Sequence, residues 1–243
     1  MRVYIGFDDT DILNSDFGTG KLARRYERLI PKECKVWGVV RQQLLVDPAI
    51  RYTSHNSSAC VVVDCPDKSY IEILKSAAVT HIETMSLPGS DPGLCLVGEG
   101  DRALPALETF GLLCTAKVVL QRAARQAAGS AHLSGHGGTS DGIIGAAAAV
   151  GLTSSGWSGR FIEYSGLREF PDNVTVSELL QKNILVVSVD RDACCPRPED
   201  MVYTKGWLRP RLWGRMAVLP VKPAGSGRWE SLGEKRNPGK QKI

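Results

Sequence analysis

The chain has 243 residues, of which 43% are hydrophobic and 23% charged, a composition typical of a globular protein with a sizeable core. No basic segment precedes the short apolar N-terminal run, and no stretch approaches the roughly 18 apolar residues of a membrane-spanning helix. The seven cysteines include no CxxC pair, which argues against a zinc ribbon and fits buried thiols in a reducing compartment. We therefore expect a cytoplasmic protein with no membrane partner.

Strand and helix signals alternate along the chain. Short β-branched runs predict strands over residues 3–7, 36–40, 59–64, 94–97 and 184–189. Helical spacing or helix-forming composition predicts helices over residues 21–29, 70–78, 103–110, 115–128 and 143–150. This alternation predicts an α/β fold of the layered α+β kind, with a mixed β-sheet and packed helices.

The Ser/Gly-rich stretch Thr153–Gly159 is the best candidate for a domain junction. We predict one domain over residues 1–160 and a smaller region over 161–243, either ferredoxin-like or an extension of one core. From Tyr203 onward ten Lys and Arg stand against two Glu, which fits either RNA binding or a solvated chain end. Residues from Lys222 onward are expected to be partly flexible.

Three carboxylates, Asp8, Asp9 and Asp11, follow the first predicted strand within four residues. Like charges this close repel each other unless a cation neutralises them. Mg²⁺ prefers carboxylate oxygens and bridges to substrate phosphates. The pattern therefore predicts a metal or phosphate role, with a polar turn as the alternative. Strand alternation predicts Asp9 and Asp11 on one side and Asp8 on the other.

Two glycine-containing loops each precede a predicted helix. In the first, Gly18 and Gly20 flank Thr19 and Lys21 follows, but Ser15 stands where a Walker A motif needs glycine. The second is Gly137-Gly138-Thr139, before a helix of small apolar residues. Backbone N–H groups of such loops can face an anion, so both loops are candidate phosphate-binding elements.

Two further segments carry polar groups next to predicted strands. Ser54, His55 and Asn56 lie in a loop rich in hydroxyl groups that suits hydrogen bonding to a polar ligand. Asp91 begins the sequence Asp91-Pro92-Gly93, which by composition predicts a turn.

Taken in order, these motifs resemble the archaeal tRNA-Ile agmatinylcytidine synthetase family, in its N-terminal kinase-like part. The resemblance spans roughly residues 1–155. It rests on the acidic motif Gly6–Asp11, on Thr19 ahead of Leu22-Ala23, on Pro48, Ile50 and Tyr52 leading to Ser54–Ala59, on Asp91-Pro92-Gly93, and on Gly137–Ala146.

The resemblance implies a kinase-like domain with ATP and Mg²⁺ as cofactors. Asp8, Asp9 and Asp11 would be the catalytic metal ligands, and Thr19 the residue that takes a phosphoryl group from ATP. The nucleotide- and substrate-binding residues that we predict are Thr10, Gly18, Gly20, Lys21, Ser54, His55, Asn56, Asp91, Gly137, Gly138 and Thr139.

The sequence also departs from the family pattern. His55 stands where the family has arginine, and Asn56-Ser57-Ser58 replaces Gly-Asn-Gly. The chain ends before the family's OB-fold and zinc-ribbon domains would follow, so we expect the phosphoryl chemistry, and not the tRNA substrate, to carry over.

Three functions follow as hypotheses. The first is ATP- and Mg²⁺-dependent phosphoryl transfer to an acceptor that the sequence does not identify. The second is a nucleotide-binding sensor without turnover. The third is an RNA-binding accessory protein in which the basic end acts with Trp207, Trp213 and Trp229 as stacking platforms.

Overall fold

The computed structural model describes residues 1–53 and 55–233. The chain divides into two compact units, unit 1 (Met1–Ile162) and unit 2 (Glu163–Ile243). Twelve strands and six α-helices occur among the described residues, with both antiparallel and parallel strand pairs, so the predicted layered α+β fold is confirmed. No helix in the described ranges is long and apolar enough to cross a membrane.

Unit 1 is a sheet covered by helices on both faces. Its strands are β1 (Arg2–Asp8), β2 (Lys35–Gln43), β3 (Ser57–Asp64), β4 (Gly93–Gly98), β5 (His132–Gly135) and β6 (Arg160–Glu163). They follow the order β5-β4-β1-β3-β2-β6. The helices are α1 (Thr19–Arg25), α2 (Tyr70–Met85), α3 (Leu104–Ala116), α4 (Gln121–Ala128) and α5 (Gly142–Ser155), and a short 3-10 helix (Tyr26–Leu29) follows α1.

Side-chain alternation along β1 separates two parts of the core. Val3, Ile5 and Phe7 pack with buried residues of α1 and α2. Tyr4 packs on the other face, with buried residues of α3, α4 and α5. A central strand buried on both faces reads as a continuous apolar run, as the sequence of β1 does. Asp8 ends this strand on the face that α5 covers.

Helix α5 lies unusually close to the sheet because small residues face each other. A Cβ atom at Gly6 would overlap the carbonyl of Ala146, and one at Gly93 would overlap the backbone of Gly142. Glycine is required at such contacts because no side chain fits between the two backbones. The helix predicted over residues 143–150 extends to Ser155 and is followed by Gly156, whose φ of 79° is left-handed.

One expectation for unit 1 is wrong in detail, and the predicted domain junction stays a prediction. A single helix was predicted over residues 115–128, but α3 ends at Ala116 and α4 begins at Gln121. Lys117 between them is extended, with φ −142° and ψ 151°, and the β-branched pair that follows it favours the same conformation. Part of the predicted junction at 153–159 is helical, and Thr153 is buried where it accepts a hydrogen bond from Gln42.

Unit 2 contains six strands and one α-helix in its described part. They are β7 (Asn173–Thr175), α6 (Val176–Gln181), β8 (Ile184–Ser188), β9 (Met201–Tyr203), β10 (Arg211–Trp213), β11 (Met216–Gly225) and β12 (Arg228–Ser231). The strands follow the order β10-β11-β12-β9-β7, and β8 pairs in parallel with β11. A ferredoxin-like βαββαβ unit has two helices, so that assignment stays a prediction.

The expected flexibility from Lys222 onward is wrong for residues 222–231. These residues complete β11 and form β12, in a hairpin that places Pro223 opposite Trp229. The hairpin forms because Gly227 adopts a φ of 61° in its turn. The rest of this prediction, residues 234–243, lies outside the described residues.

Candidate functional site

A cavity of about 720 Å³ lies in unit 1 at the end of β1. Five segments line it: the β1–α1 loop, the β2–β3 loop, the turn before β4, the α3–α4 connection and the loop before α5. Its acidic residues are Asp8, Asp9, Asp11, Asp91 and Asp141, and its basic side chains are Arg51, Lys117 and Arg122. The cavity therefore combines an excess of carboxylates with a few cations.

Asp8 is held between the sheet and the first turns of α5. It pairs with Gly93 in the ladder between β1 and β4. A Cβ atom at Gly145 would overlap its carboxylate, so this position of Asp8 depends on glycine at residue 145. Burial raises the pKa of Asp8 to about 8, and repulsion from Asp9 and Asp11 adds to the rise. Without a bound cation such a carboxyl is mostly uncharged at neutral pH, and a cation in the cavity would favour its charged form.

Asp9 and Asp11 lie in the loop that leaves β1, and both line the same cavity as Asp8. The predicted separation of Asp8 from Asp9 and Asp11 is wrong, because β1 ends at Asp8 and Asp9 turns the chain with a left-handed φ of 51°. Burial, together with Asp91, Asp11 and Asp141, raises the pKa of Asp9 to about 6. Burial also raises the pKa of Asp11, which the hydroxyl of Thr53 counteracts by donating a hydrogen bond at 3.2 Å.

Thr19 begins α1 and presents a buried hydroxyl at the cavity wall. Its Oγ1 lies 3.0 Å from the Oγ1 of Thr10, and the backbone N–H of Thr10 points to it at 3.4 Å. Thr10 is fully buried and its carbonyl accepts a hydrogen bond from Leu87, so the Thr10–Thr19 pair ties the loop to the start of the helix. The hydroxyl of Thr19 is thus fixed beside the aspartates.

The other predicted residues of this loop do not line the cavity. Gly18 precedes α1, where a Cβ atom would come within 3.2 Å of the Asp11 carboxylate, and Gly20 faces Ile162. The ammonium group of Lys21 donates to the backbone carbonyl of Asp16. Gly18 and Gly20 therefore allow close packing, and Lys21 binds the loop.

Asp91 organises the loop before α5. Its carboxylate accepts hydrogen bonds from the backbone N–H of Thr139 at 2.6 Å and from the Thr139 hydroxyl at 2.8 Å. Gly138, with a φ of 48°, leaves room for that carboxylate, and Gly137 lies close to the carbonyl of Ser90. The predicted phosphate contacts of Thr139 thus compete with Asp91, and Gly137 and Gly138 lie outside the cavity lining.

The β2–β3 loop brings His55 and Asn56 to the cavity wall. The side-chain amide of Asn56 donates to the carbonyl of Leu45 at 2.6 Å, and the backbone carbonyl of Asn56 accepts from Leu44 at 2.9 Å. Asn56 therefore closes the loop on itself. Ser54, the third residue predicted here, lies outside the described residues.

Several residues of the site were missed by the sequence analysis. Lys117 and Arg122 belong to the α3–α4 connection, which was predicted as the interior of one helix. Gln121 donates to the carbonyl of Thr139 at 2.7 Å and to the Asp141 carboxylate at 2.6 Å, joining this connection to the loop before α5. The adjacent β-branched residues Val118 and Val119 were the available signal, because such pairs favour extended backbone.

The aspartates fit a metal site that water and phosphate oxygens complete better than a site formed by protein ligands alone. Among residues 1–53 and 55–233, no group of three or more His, Cys, Asp or Glu side chains is arranged to hold a metal ion. Mg²⁺ commonly takes one or two protein carboxylates and completes its shell with water and phosphate oxygens. The oxygen donors of Asp8, Asp9 and Asp11 suit that chemistry, and their assignment as metal ligands stays a prediction.

The chain is similar to solved structures, although no protein-family sequence model and no curated protein matches it. A complex of TiaS with an isoleucine tRNA, AMPCPP and agmatine is 25% identical, with a TM-score of 0.54 over 74% of this chain and 44% of that chain. A complex of TiaS with the same tRNA and ATP is 28% identical, with a TM-score of 0.53 over 62% and 36%. The chain is TiaS-like. A tRNA fluorescent labeling enzyme is also similar, at 26% identity and a TM-score of 0.51 over 62% and 36%.

The resemblance predicted from the ordered motifs is thereby confirmed, since both of these TiaS structures contain an isoleucine tRNA and one of them also contains agmatine. The matched part of this TiaS-like chain spans 36–44% of the length of those relatives.

Proposed function

We propose that this chain binds ATP in the acidic cavity and transfers a phosphoryl group from it, in a reaction related to tRNA modification. One observation carries the proposal: the aspartates, the Thr19 hydroxyl and three basic side chains line a single cavity. Two of the similar TiaS structures contain ATP or AMPCPP together with tRNA, which supports the same ligand class here. All the residues that line this cavity lie between Asp8 and Gly145 in the sequence of unit 1.

Phosphoryl transfer requires mostly positioning and charge stabilisation, and different residues of the cavity would supply each. Arg51, Lys117 and Arg122 supply positive charge for the phosphates. Asp8, Asp9 and Asp11 would hold Mg²⁺, which when bound offsets negative charge on the phosphate oxygens. Thr19 would attack the γ-phosphorus, with a neighbouring carboxylate taking its proton, and the hydrogen bond that Thr10 donates to the Thr19 hydroxyl supports this role.

The compound that accepts the phosphoryl group from Thr19 would be cationic. Two acidic residues of the cavity, Asp91 and Asp141, are not assigned to Mg²⁺ and can pair with a cationic group. A similar TiaS structure contains agmatine, which has this charge. We propose an amine or guanidine compound as the acceptor class, delivered to tRNA by the complete reaction.

The test of the proposed function is transfer of label from γ-labelled ATP to the protein in the presence of Mg²⁺. We expect label on the wild-type chain, and we expect Thr19→Ala to abolish it. Thr84→Ala is the matched control, because Thr84 is exposed on α2 and its hydroxyl donates to the carbonyls of Thr80 and His81 in the same helix. Equal labelling of Thr19→Ala and wild type would refute Thr19 as the acceptor.

A nucleotide sensor without turnover is the second candidate. It is favoured by the bonds that Thr139 makes to Asp91, since they occupy donors that a phosphate would otherwise use. In that case ATP would bind to the full chain, measured by calorimetry, while neither labelled protein nor released ADP or AMP would form.

A further inference from the structure

A second cluster of reactive side chains joins β5 to the end of α2, and none of its members lines the ATP cavity. The Nδ1 of His136 lies 3.0 Å from Oε1 of Glu83. The Nε2 of His136 lies 2.7 Å from Oγ of Ser134, and the Nε2 of His132 lies 2.9 Å from the same oxygen. Four polar groups thus form one continuous hydrogen-bonded chain.

The alternation of a β-strand explains why two of these groups meet. His132 and Ser134 are two residues apart in β5 and therefore project from the same face, and His136 follows the strand directly after Gly135. Strand β5 is the last in the order β5-β4-β1, so no other strand of the described residues covers its outer edge. The His136 side chain is 8% exposed and Glu83 is 57% exposed, so the imidazole is enclosed while the carboxylate reaches solvent.

When both imidazoles are neutral, the hydrogen-bonding chemistry of each group determines which atom carries the proton in each of these hydrogen bonds. A carboxylate only accepts, so Nδ1 of His136 carries its proton and Nε2 is the acceptor. Ser134 then donates its hydroxyl proton to Nε2 of His136 and accepts from the N–H of His132 at Nε2. This assignment leaves the serine oxygen as a nucleophile with a base on one side and a donor on the other.

A hydroxyl hydrogen-bonded to an imidazole, which is hydrogen-bonded in turn to a carboxylate, is the arrangement that activates serine nucleophiles on unrelated folds. We propose that Ser134 is a nucleophile activated by His136 and Glu83, forming a second reactive centre that takes acyl groups from esters. This centre is separate from the ATP cavity and does not depend on the function proposed there.

The reaction balances with the groups present and water. The Ser134 oxygen forms a bond to the acyl carbon, its proton passes to Nε2 of His136, and the ester C–O bond breaks as the leaving alkoxide takes that proton. Water then attacks the acyl-serine by the same route, releases the carboxylic acid and restores the hydroxyl.

His132 has the position of an oxyanion donor in this reaction. Its Nε2 lies 2.9 Å from Ser134 Oγ, within reach of an oxygen on the carbon that becomes attached there. Burial lowers the pKa of His132, and the charges of Lys75 and His136 lower it further against the opposing effect of Glu72. The imidazole of His132 therefore stays neutral, with one N–H to donate.

The experiment treats the full chain with a fluorophosphonate probe, whose phosphorus takes the serine oxygen while fluoride leaves. Intact mass and peptide mapping give the site and the rate of labelling. We expect one adduct at Ser134, none in Ser134→Ala, and labelling at least about 10²-fold slower in His136→Gln, which loses the general base, and in Glu83→Gln, which loses the group that orients it. Hydrolysis of p-nitrophenyl acetate should fall in the same order.

Ser130→Ala is the matched control, because Ser130 is a nearby serine whose hydroxyl donates to the Asp101 carboxylate rather than to an imidazole. It should label like the wild type. Thermal unfolding of each variant separates lost reactivity from lost folding. An unlabelled wild-type chain, an adduct that persists in Ser134→Ala, or a rate unaffected by Glu83→Gln would each overturn the proposal.

Discussion

Single residues at the end of β1 combine backbone strain with charge repulsion, which points to ligand binding. Asp9 is a non-glycine residue with a φ of 51°, a conformation that costs about 1–2 kcal/mol. It is also crowded by Asp91, Asp11 and Asp141, which raise its pKa together with burial. Strain and like-charge repulsion at one position persist where the surrounding structure enforces them, which is the usual situation in binding sites. A cationic ligand would relieve the repulsion.

A buried histidine predicts how the stability of unit 1 depends on pH. His81 is 5% exposed, bonds through Nε2 to the carbonyl of Leu22 at 2.9 Å, and packs on Phe7 and Tyr26. Burial lowers its pKa, and the nearby Arg25 lowers it further. The folded chain therefore binds fewer protons here than the unfolded chain, so stability is complete above the unfolded pKa near 6.5 and falls as the pH drops below it.

The raised pKa values of Asp8 and Asp9 stabilise the fold as the pH drops, but they act equally in wild type and in a His81 variant. We therefore expect the stability at about pH 5.5, relative to that at about pH 7.5, to be higher in His81→Gln than in wild type, because Gln keeps an amide donor for Leu22 but has no titrating ring. Unfolding curves at the two pH values measure both slopes. Burial lowers the pKa of His132 as well, so His132→Gln should shift the pH dependence in the same direction, and the two effects should add in the double variant. Identical pH dependence in wild type and His81→Gln would contradict this role of His81.

At the scale of elements, α5 shows how one helix serves both the core and the site. Its buried face is built from glycine and alanine, so its backbone reaches β1 and β4, and its first turns lie against Asp8. Farther along, Gly151 packs against the backbone of Leu107 in α3. Small residues thus fix both the position of Asp8 and the packing of two helices.

Alanine at two glycines of α5 separates these roles. Gly145→Ala would place a methyl group on the Asp8 carboxylate, so we expect ATP-dependent labelling to fall at least about tenfold in protein that still folds. Gly151→Ala, the matched control, would press on Leu107 and cost about 1–3 kcal/mol of stability by overpacking. Labelling per folded molecule should stay normal in that control. Normal labelling in Gly145→Ala would show that Asp8 need not hold its position.

At the scale of the whole molecule, the two compact units carry different features. Every residue that lines the cavity lies between Asp8 and Gly145, within unit 1. Unit 2 contains the hairpin of β11 and β12 and the basic C-terminal segment that the sequence associates with RNA. Nucleotide binding and any contact with nucleic acid can therefore be assayed on different parts of the chain.

A fragment of residues 1–163, which keeps β6 intact, should fold and bind ATP with the affinity of the full chain. The reason is that both core clusters of unit 1 and all cavity residues lie within it. Circular dichroism and calorimetry on the fragment and the full chain measure folding and affinity. A folded fragment with at least about tenfold weaker ATP binding, a loss of roughly 1.4 kcal/mol, would show that residues beyond 163 contribute to the site.

The sequence alone indicated the local elements and the resemblance to TiaS. The apolar run of β1, the acidic residues that end it and the small residues of α5 are local patterns, because strand and helix periods are set by neighbouring residues. They were sufficient to predict the layered fold, and together with Thr19, the segment from Pro48 to Ala59 and Asp91-Pro92-Gly93 they predicted the TiaS resemblance. The helix break at Lys117 was missed because a weak extended preference was outweighed by the alanine-rich residues after it.

Only the tertiary structure decided which distant groups meet. The sheet order β5-β4-β1-β3-β2 brings Asp91, Lys117 and Asp141 to the cavity with Asp8, and it sets Glu83 of α2 beside His136. Asp91 also takes the N–H of Thr139, which the sequence assigned to phosphate. Hydrogen bonds and charges act over a few ångströms, whereas the residues that make them are dozens of positions apart. Their meeting therefore depends on strand order and packing, which no local pattern in the chain encodes.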